Sequence, residues 1–342
     1  MSGRPSANYL ILAFFFLTGL TGLAYELVWI RLLILAFGST QFAVTTVLVV
    51  FMAGLALGSL IFGRIADRTS SPLKLYAIIE VALGVYCILS PAIFTAIKGA
   101  YLVLGGHSAS TGVSATFEAP QFALSFLALI IPTTLMGGTL PALVKYLASG
   151  SGRIGFHTAV PYSVNTLGAV AGCLLTGFLS LYVLGVKTTV YTAGVIDIIV
   201  GVLVYALYGR ASSAPVGPRA AVAPQGAKAG SGKRLLIIAS FALSGFASLN
   251  YEVLWSRLLS LVLGSSVYAF TIMLATFLVG IGLGSIVFAP FIDRRKNLIA
   301  WFALFEAVIG VVSLVSIFVY RELPFVFFSL KESFASQFWL FM

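Results

Sequence analysis

Tyr25-Glu26-Leu27-Val28-Trp29-Ile30-Arg31-Leu32-Leu33 returns as Tyr251-Glu252-Val253-Leu254-Trp255-Ser256-Arg257-Leu258-Leu259, 226 residues further on. The match extends without a gap over 15–68 and 241–294, where 24 of 54 paired positions are identical. Gly38-Ser39 pairs with Gly264-Ser265, Gly54, Gly58 and Ser59 with Gly280, Gly284 and Ser285, and Asp67-Arg68 with Asp293-Arg294. Beyond the window Glu80 and Gly84 still align with Glu306 and Gly310. A long-period duplication in an apolar chain is the mark of a membrane protein built from two related halves, with a substrate path between them.

Composition requires the bilayer. Hydrophobic residues make up 60% of the 342 and charged ones 9%, with a mean hydropathy of +1.08. Soluble domains carry about a quarter charged residues, so a chain this apolar would have no surface to show to water. The net charge of +10 comes from scattered singles and pairs, which argues against a phosphate-tracking patch and against a nucleic-acid partner. Cys87 and Cys173 sit inside apolar runs and are read as small buried hydrophobes. His107 and His157 fall in loops with no ligand-spaced partner, so neither a metal nor a cofactor is expected. The first apolar run follows a lone Arg4 and lacks a small-x-small cleavage site, so it is expected to stay as a span.

A crossing helix needs roughly 20 apolar residues, which predicts spans over 9–36, 42–63, 73–96, 121–144, 158–183, 189–208, 235–262, 267–290 and 298–320. Hairpins are expected at Gly38-Ser39-Thr40-Gln41 and Gly264-Ser265-Ser266, and long loops at 97–120 and 209–234. The second loop is rich in Ala, Gly, Pro and Ser and reads as a solvated linker. The chain therefore divides into a six-span bundle over 1–208, a cytoplasmic linker over 209–234, and a shortened second repeat of about three spans over 235–342.

Counting Lys and Arg orients these spans. Arg4, Arg64, Arg68, Lys74, Lys145, Arg153, Arg210, Arg219, Lys228, Lys233, Arg234, Arg294, Arg295 and Lys296 fall on one side, 14 in all. Lys98, Lys187, Arg321 and Lys331 fall on the other, 4 in all, and Arg31 and Arg257 lie within helices. The positive-inside rule then places the N-terminus and the linker in the cytoplasm. Both Asp-Arg pairs share that side, so the halves are read as parallel repeats of helix bundles of the major-facilitator type, the second half incomplete.

Only Glu26, Arg31, Glu80, Asp197, Glu252, Arg257 and Glu306 are ionisable within the spans. Charge in a helix that meets lipid is costly, so each is a candidate by default and should face protein or a cavity. Glu26 and Glu252 stand out as pseudo-symmetric partners, suited either to a cationic substrate or proton, or to structural tethers between spans. Glu26 lies about 17 residues, roughly 26 Å, into its helix, near the outer interface. Five residues separate it from Arg31, which points the two about 140° apart. Tyr25 with Trp29 and Tyr251 with Trp255 are read as interfacial anchors or, alternatively, as aromatic contacts for a cation. Arg31, Arg257, Glu80 and Glu306 are assigned structural or gating roles.

Gly63-Arg64-Ile65-Ala66-Asp67-Arg68 reads as a cytoplasmic loop whose Asp67 accepts from helix N-termini and arginines, locking or releasing one conformation. It resembles the Gly-x-Leu-Ala-Asp-Arg signature of major facilitators, and the second copy keeps only Asp293-Arg294. Pro132-Thr133-Thr134-Leu135-Met136-Gly137-Gly138-Thr139-Leu140-Pro141 is expected to interrupt the fourth span, as a site wall or a simple kink. Gly54 with Gly58, Gly168 with Gly172, and Gly280 with Gly284 are read as helix-packing pairs.

Taken together, Tyr251–Leu259, Gly264–Phe270, Pro132–Pro141 and Tyr162-Ser163-Val164-Asn165-Thr166-Leu167-Gly168-Ala169 resemble the membrane part of the fused major-facilitator/spermidine-synthase-like bacterial proteins. The resemblance covers nearly the whole chain outside the linker. It implies a bacterial inner-membrane protein, transporter-like and linked to polyamines or similar small cations, with Asn165 joining the candidate substrate contacts. The alternative it implies is a non-transporting scaffold for an aminopropyltransferase-like domain or subunit. That domain's Gly-rich nucleotide turn and acidic catalytic loop are not in this sequence, so enzymatic activity is not expected of it. A counterpart of Pro132 would fall past Met342, which points to a fragment, a split gene or a shortened form. Homo-oligomerisation, or association with the missing C-terminal part, would then complete the bundle.

Overall fold

The computed structural model describes residues 5–38, 40–103, 115–148, 154–209, 231–264, 266–292 and 297–333. Nine long helices among these residues are apolar enough to cross a membrane. They are α1 (Pro5–Phe37), α2 (Thr40–Arg68), α3 (Pro72–Val103), α4 (Ala115–Ala148), α5 (Ile154–Leu175), α6 (Gly185–Tyr208), α7 (Ser231–Leu263), α8 (Ser266–Ile292) and α9 (Leu298–Ser333). A π-helical turn, Thr176–Ser180, and a short turn, Leu181–Val183, prolong α5 up to Gly185. Gly185 has a φ of +75°, the left-handed conformation that glycine adopts at least cost. An all-helical chain is what lipid demands, because each backbone N–H and C=O must find its partner within the segment.

The helices overrun the expected spans. Gly63–Arg68 is not a loop but the last turns of α2, since nothing breaks the helix before Ser70-Ser71-Pro72. The predicted loop at 97–120 contracts likewise, with 97–103 in α3 and 115–120 in α4. Of the two expected hairpins, Ser39 and Ser265 lie outside the described residues, but Gly38 (φ +78°) and Gly264 (φ +69°) close α1 and α7. Their amides donate to Ile34 and Ser260 carbonyls at 2.8 and 3.0 Å, the left-handed helix cap.

The chain forms two compact units, Met1–Gln225 with Leu274–Pro290, and Gly226–Met273 with Phe291–Met342. In the first, α2 lies along α4, α3 along α6, and α1 along α5 and α6. The pairings run over glycines. A Cβ on Gly58 would strike the Thr134 carbonyl and Gly137, and one on Gly168 or Gly172 would strike the carbonyls of Phe16 or Leu20. The packing reading thus holds for two glycine pairs and fails for the third, because Gly280 and Gly284 have no described atom within 4 Å of a Cβ position. Ile11, Phe14, Phe15, Leu73, Tyr76 and Leu143 form an apolar cluster joining α1, α3 and α4.

Pro132–Pro141 does not interrupt its span: α4 runs unbroken through Pro120, Pro132 and Pro141. A proline cannot donate to the carbonyl four residues back, so Pro132 frees Ala128 O. Tyr86 of α3 donates its hydroxyl to that oxygen at 2.6 Å. Pro91 frees Cys87 O in the same way, and the Ser90 hydroxyl takes it at 2.7 Å. Hydroxyls replace the lost bonds, and the helices stay intact.

In the second unit, α7 and α9 meet where Phe241 faces Phe302 at 6.3 Å and the Ser244 hydroxyl donates to Glu306 at 2.6 Å. These positions are the repeat counterparts of Phe15, Tyr76, Thr18 and Glu80. Phe15 and Tyr76 also touch, edge to face at 6.1 Å where Phe241 and Phe302 are tilted. The duplication therefore reproduces local contacts as well as residues.

Candidate functional site

The deepest polar cluster lies where α1, α3 and α6 meet. Asp197 on α6 is fully buried and accepts two hydrogen bonds, from Thr21 Oγ1 at 2.6 Å and from the Tyr25 hydroxyl at 2.6 Å. Glu80 on α3 is also fully buried, and neither of its carboxylate oxygens has a hydrogen-bond partner among the described residues. Tyr76, one turn before it, places its hydroxyl 3.3 Å from Thr18 Oγ1.

Small residues set the level at which the two acids meet. A Cβ on Gly194 would touch the Gly84 carbonyl at 2.9 Å, and one on Gly201 the Ala77 carbonyl at 2.7 Å. These two close backbone approaches lie one turn to either side of Glu80 and of Asp197 and run antiparallel. They bring the acids to one height on facing helices, within electrostatic reach of each other. Neither ion pair seen among the described residues involves Glu80 or Asp197: one is Lys145 with Asp67 at 3.5 Å, the other Arg321 with Glu322 at 3.9 Å.

The residues singled out from sequence fall in three places. Tyr25 and Trp29 are fully buried and stacked at 5.7 Å, which overturns their reading as interfacial anchors. Trp29 Nε1 has no acceptor among the described residues. Glu26 is 2% exposed, so it does not reach the outer interface, and it lies within electrostatic reach of the Cys173 thiol on α5. Asn165 braces two helices, its Nδ2 donating to the Phe15 carbonyl at 3.0 Å. Glu252 is 1% exposed with neither carboxylate oxygen partnered among the described residues. Tyr251 and Trp255, both half-buried, repeat the stack at 5.5 Å.

Arg31 and Arg257 turn to the exposed side of their helices rather than into the protein. Asp67 pairs with Lys145 of α4 rather than with an arginine, and both are surface groups, 77% and 39% exposed. Arg68 closes α2, and Asp293 and Arg294 lie outside the described residues. Gly137 and Gly138 press α4 against Leu55 and Phe62 of α2. Cys87 and Cys173 are both buried, as expected of small hydrophobes. Among the described residues no cluster of His, Cys, Asp or Glu has the makings of a metal site.

Asp197 is the residue that the repeat concealed. Its counterpart at the 226-residue offset would fall past Met342, so the repeat compared only Glu26 and Glu252. Its signal was an acid in an apolar span, flanked by Gly194 and Gly201 at helical spacing.

Nine apolar helices with carboxyls buried among them define a multi-pass α-helical membrane protein. No family model, curated protein or solved structure matches the chain.

Proposed function

We propose that this chain is a transporter-like protein of the bacterial inner membrane that handles small organic cations of the polyamine type. In this reading it is built as a major-facilitator-like parallel repeat with a cytoplasmic N-terminus. The observation that carries it is that Glu26, Glu80, Asp197 and Glu252 are all buried within the spans, while the span arginines Arg31 and Arg257 are exposed. An interior supplied with carboxyls and poor in fixed cations suits a positively charged cargo, because desolvated charge is tolerated only when compensated. The choice of polyamines rests on the family resemblance alone. The repeat supports the fold: α1 and α7 have the same bounds at the 226-residue offset, the same left-handed glycine and the same aromatic stack.

The test is binding of spermidine to the purified protein and to its E26Q and E252Q variants. Loss of one partner of a desolvated charge pair costs about 2–5 kcal/mol, so affinity should fall at least about tenfold while the melting temperature holds. Unchanged affinity in both variants sinks the cargo site. Absence of binding to the parent leaves the scaffold reading, in which the spans anchor an aminopropyltransferase-like partner.

A further inference from the structure

We infer that the Glu80–Asp197 pair is a proton-binding site inside the first unit, with Glu80 carrying the proton and Asp197 the charge. The assignment rests on the hydrogen bonds. Asp197 accepts two short O–H donors, one on each carboxylate oxygen, from Thr21 and Tyr25. Hydrogen bonds donated to a carboxylate favour its charged form. Glu80 has no donor in hydrogen-bond geometry on either oxygen among the described residues; the Tyr76 and Thr18 hydroxyls beside it lie 3.3 Å from each other. A buried carboxylate with no donor costs far more than a buried neutral carboxyl, and two like charges at close range cannot both persist without a counterion.

Among the described residues the surroundings supply no fixed counterion. The ionisable groups facing the pair are Tyr76 and Cys87 on α3 and Tyr25 on α1, none of them cationic. From the packed neighbours, Lys145 of α4 is drawn to Asp67, and Lys74 of α3 lies over the Tyr205 ring of α6 at 5.7 Å. One positive charge must therefore come from outside, and the proton is the cation that needs no further ligands. Release is a single dissociation: the Glu80 O–H bond breaks, the electron pair stays on the carboxylate, and the proton leaves to water.

The repeat changes the surroundings of the glutamate. In the second copy Thr21 becomes Ala247 and Tyr76 becomes Phe302, so two hydroxyls of the cluster are gone. Glu306 instead accepts directly from Ser244. The duplication preserved the glutamate and its neighbouring hydroxyl, but not the hydroxyls of Thr21 and Tyr76. Within the transport reading this pair would hold the coupling proton, but the site itself does not require that reading.

The experiment is infrared difference spectroscopy of the full chain in lipid nanodiscs across a pH series, for the parent, E80Q and D197N. The parent is expected to show one protonated-carboxyl carbonyl band per chain at neutral pH. That band should shift on selective carbon-13 labelling of glutamate, vanish in E80Q, and persist at a shifted frequency in D197N. Because the native state holds a proton that the unfolded state releases, parent stability should fall as pH rises, and E80Q should lose that slope. An unaltered band in E80Q overturns the assignment, as does a band that moves with aspartate labelling. Displacement of the band by sodium at fixed pH means a metal cation fills the site, which also overturns it. Gln has the shape of the neutral acid, so failure of E80Q to fold counts against the proposal too. None of these readouts depends on spermidine binding, so either reading can fail without the other.

Discussion

Tyr25→Phe removes one oxygen and nothing else from a fully packed site, which makes its consequence calculable. The Tyr25 hydroxyl supplies one of the two 2.6 Å hydrogen bonds to the buried Asp197 carboxylate. A hydrogen bond to a charged group contributes about 1.5–3 kcal/mol, and no water stands ready to replace it at a residue with no exposure. For a unit of this size each kcal/mol moves the melting temperature by about 2–4 °C, so Y25F should melt about 3–12 °C lower. The repeat furnishes the control. Tyr251 occupies the matching position and keeps the stack on its tryptophan, but it is only half-buried. Y251F should therefore stay within about 0.5 kcal/mol of the parent. In a D197N background, Y25F should cost about half as much, since bonds to ionised acceptors are roughly twice as strong as neutral ones. The assay is thermal unfolding in mild detergent, followed by tryptophan fluorescence. Equal melting of Y25F and Y251F would refute the argument, and so would an undiminished Y25F penalty in D197N.

Three more outcomes can be checked directly. Gly58→Val should destabilise by about 1–3 kcal/mol or more through overpacking against α4, whereas Gly284→Val at the open repeat position should be near neutral; the comparison is the two melting curves. Tyr86→Phe should cost about 1–3 kcal/mol by orphaning the Ala128 carbonyl; adding Pro132→Ala should recover most of that loss, and a strictly additive double variant would be the contrary result. Cysteines at Ser212 and Ser329 should label from opposite sides of the membrane, with the buried native Cys87 and Cys173 silent; labelling from one side would overturn the parallel repeat.

The sequence by itself determined the elements. Lipid leaves a chain little choice but to satisfy its backbone within helices, so apolar length and the glycines at 38 and 264 were enough to find the nine spans and two of their turns. The same logic located the buried acids, because any carboxyl in a span is costly whatever it touches. What could not be read was which acids meet. Periodicity within one helix says nothing about its rotation against another, and Asp197 faces Glu80 only because Gly194 and Gly201 let α6 lie directly on α3. Repeat symmetry drew attention to Glu26 and Glu252, while Asp197 drew its two donors from a helix more than 170 residues away in the chain. The prolines misled for the same reason. Their lost bonds were legible, but the Tyr86 hydroxyl that takes up the Ala128 carbonyl of α4 became its partner only when the helices packed. Pairing across helices is a property of close packing, and that was decided by the tertiary structure alone.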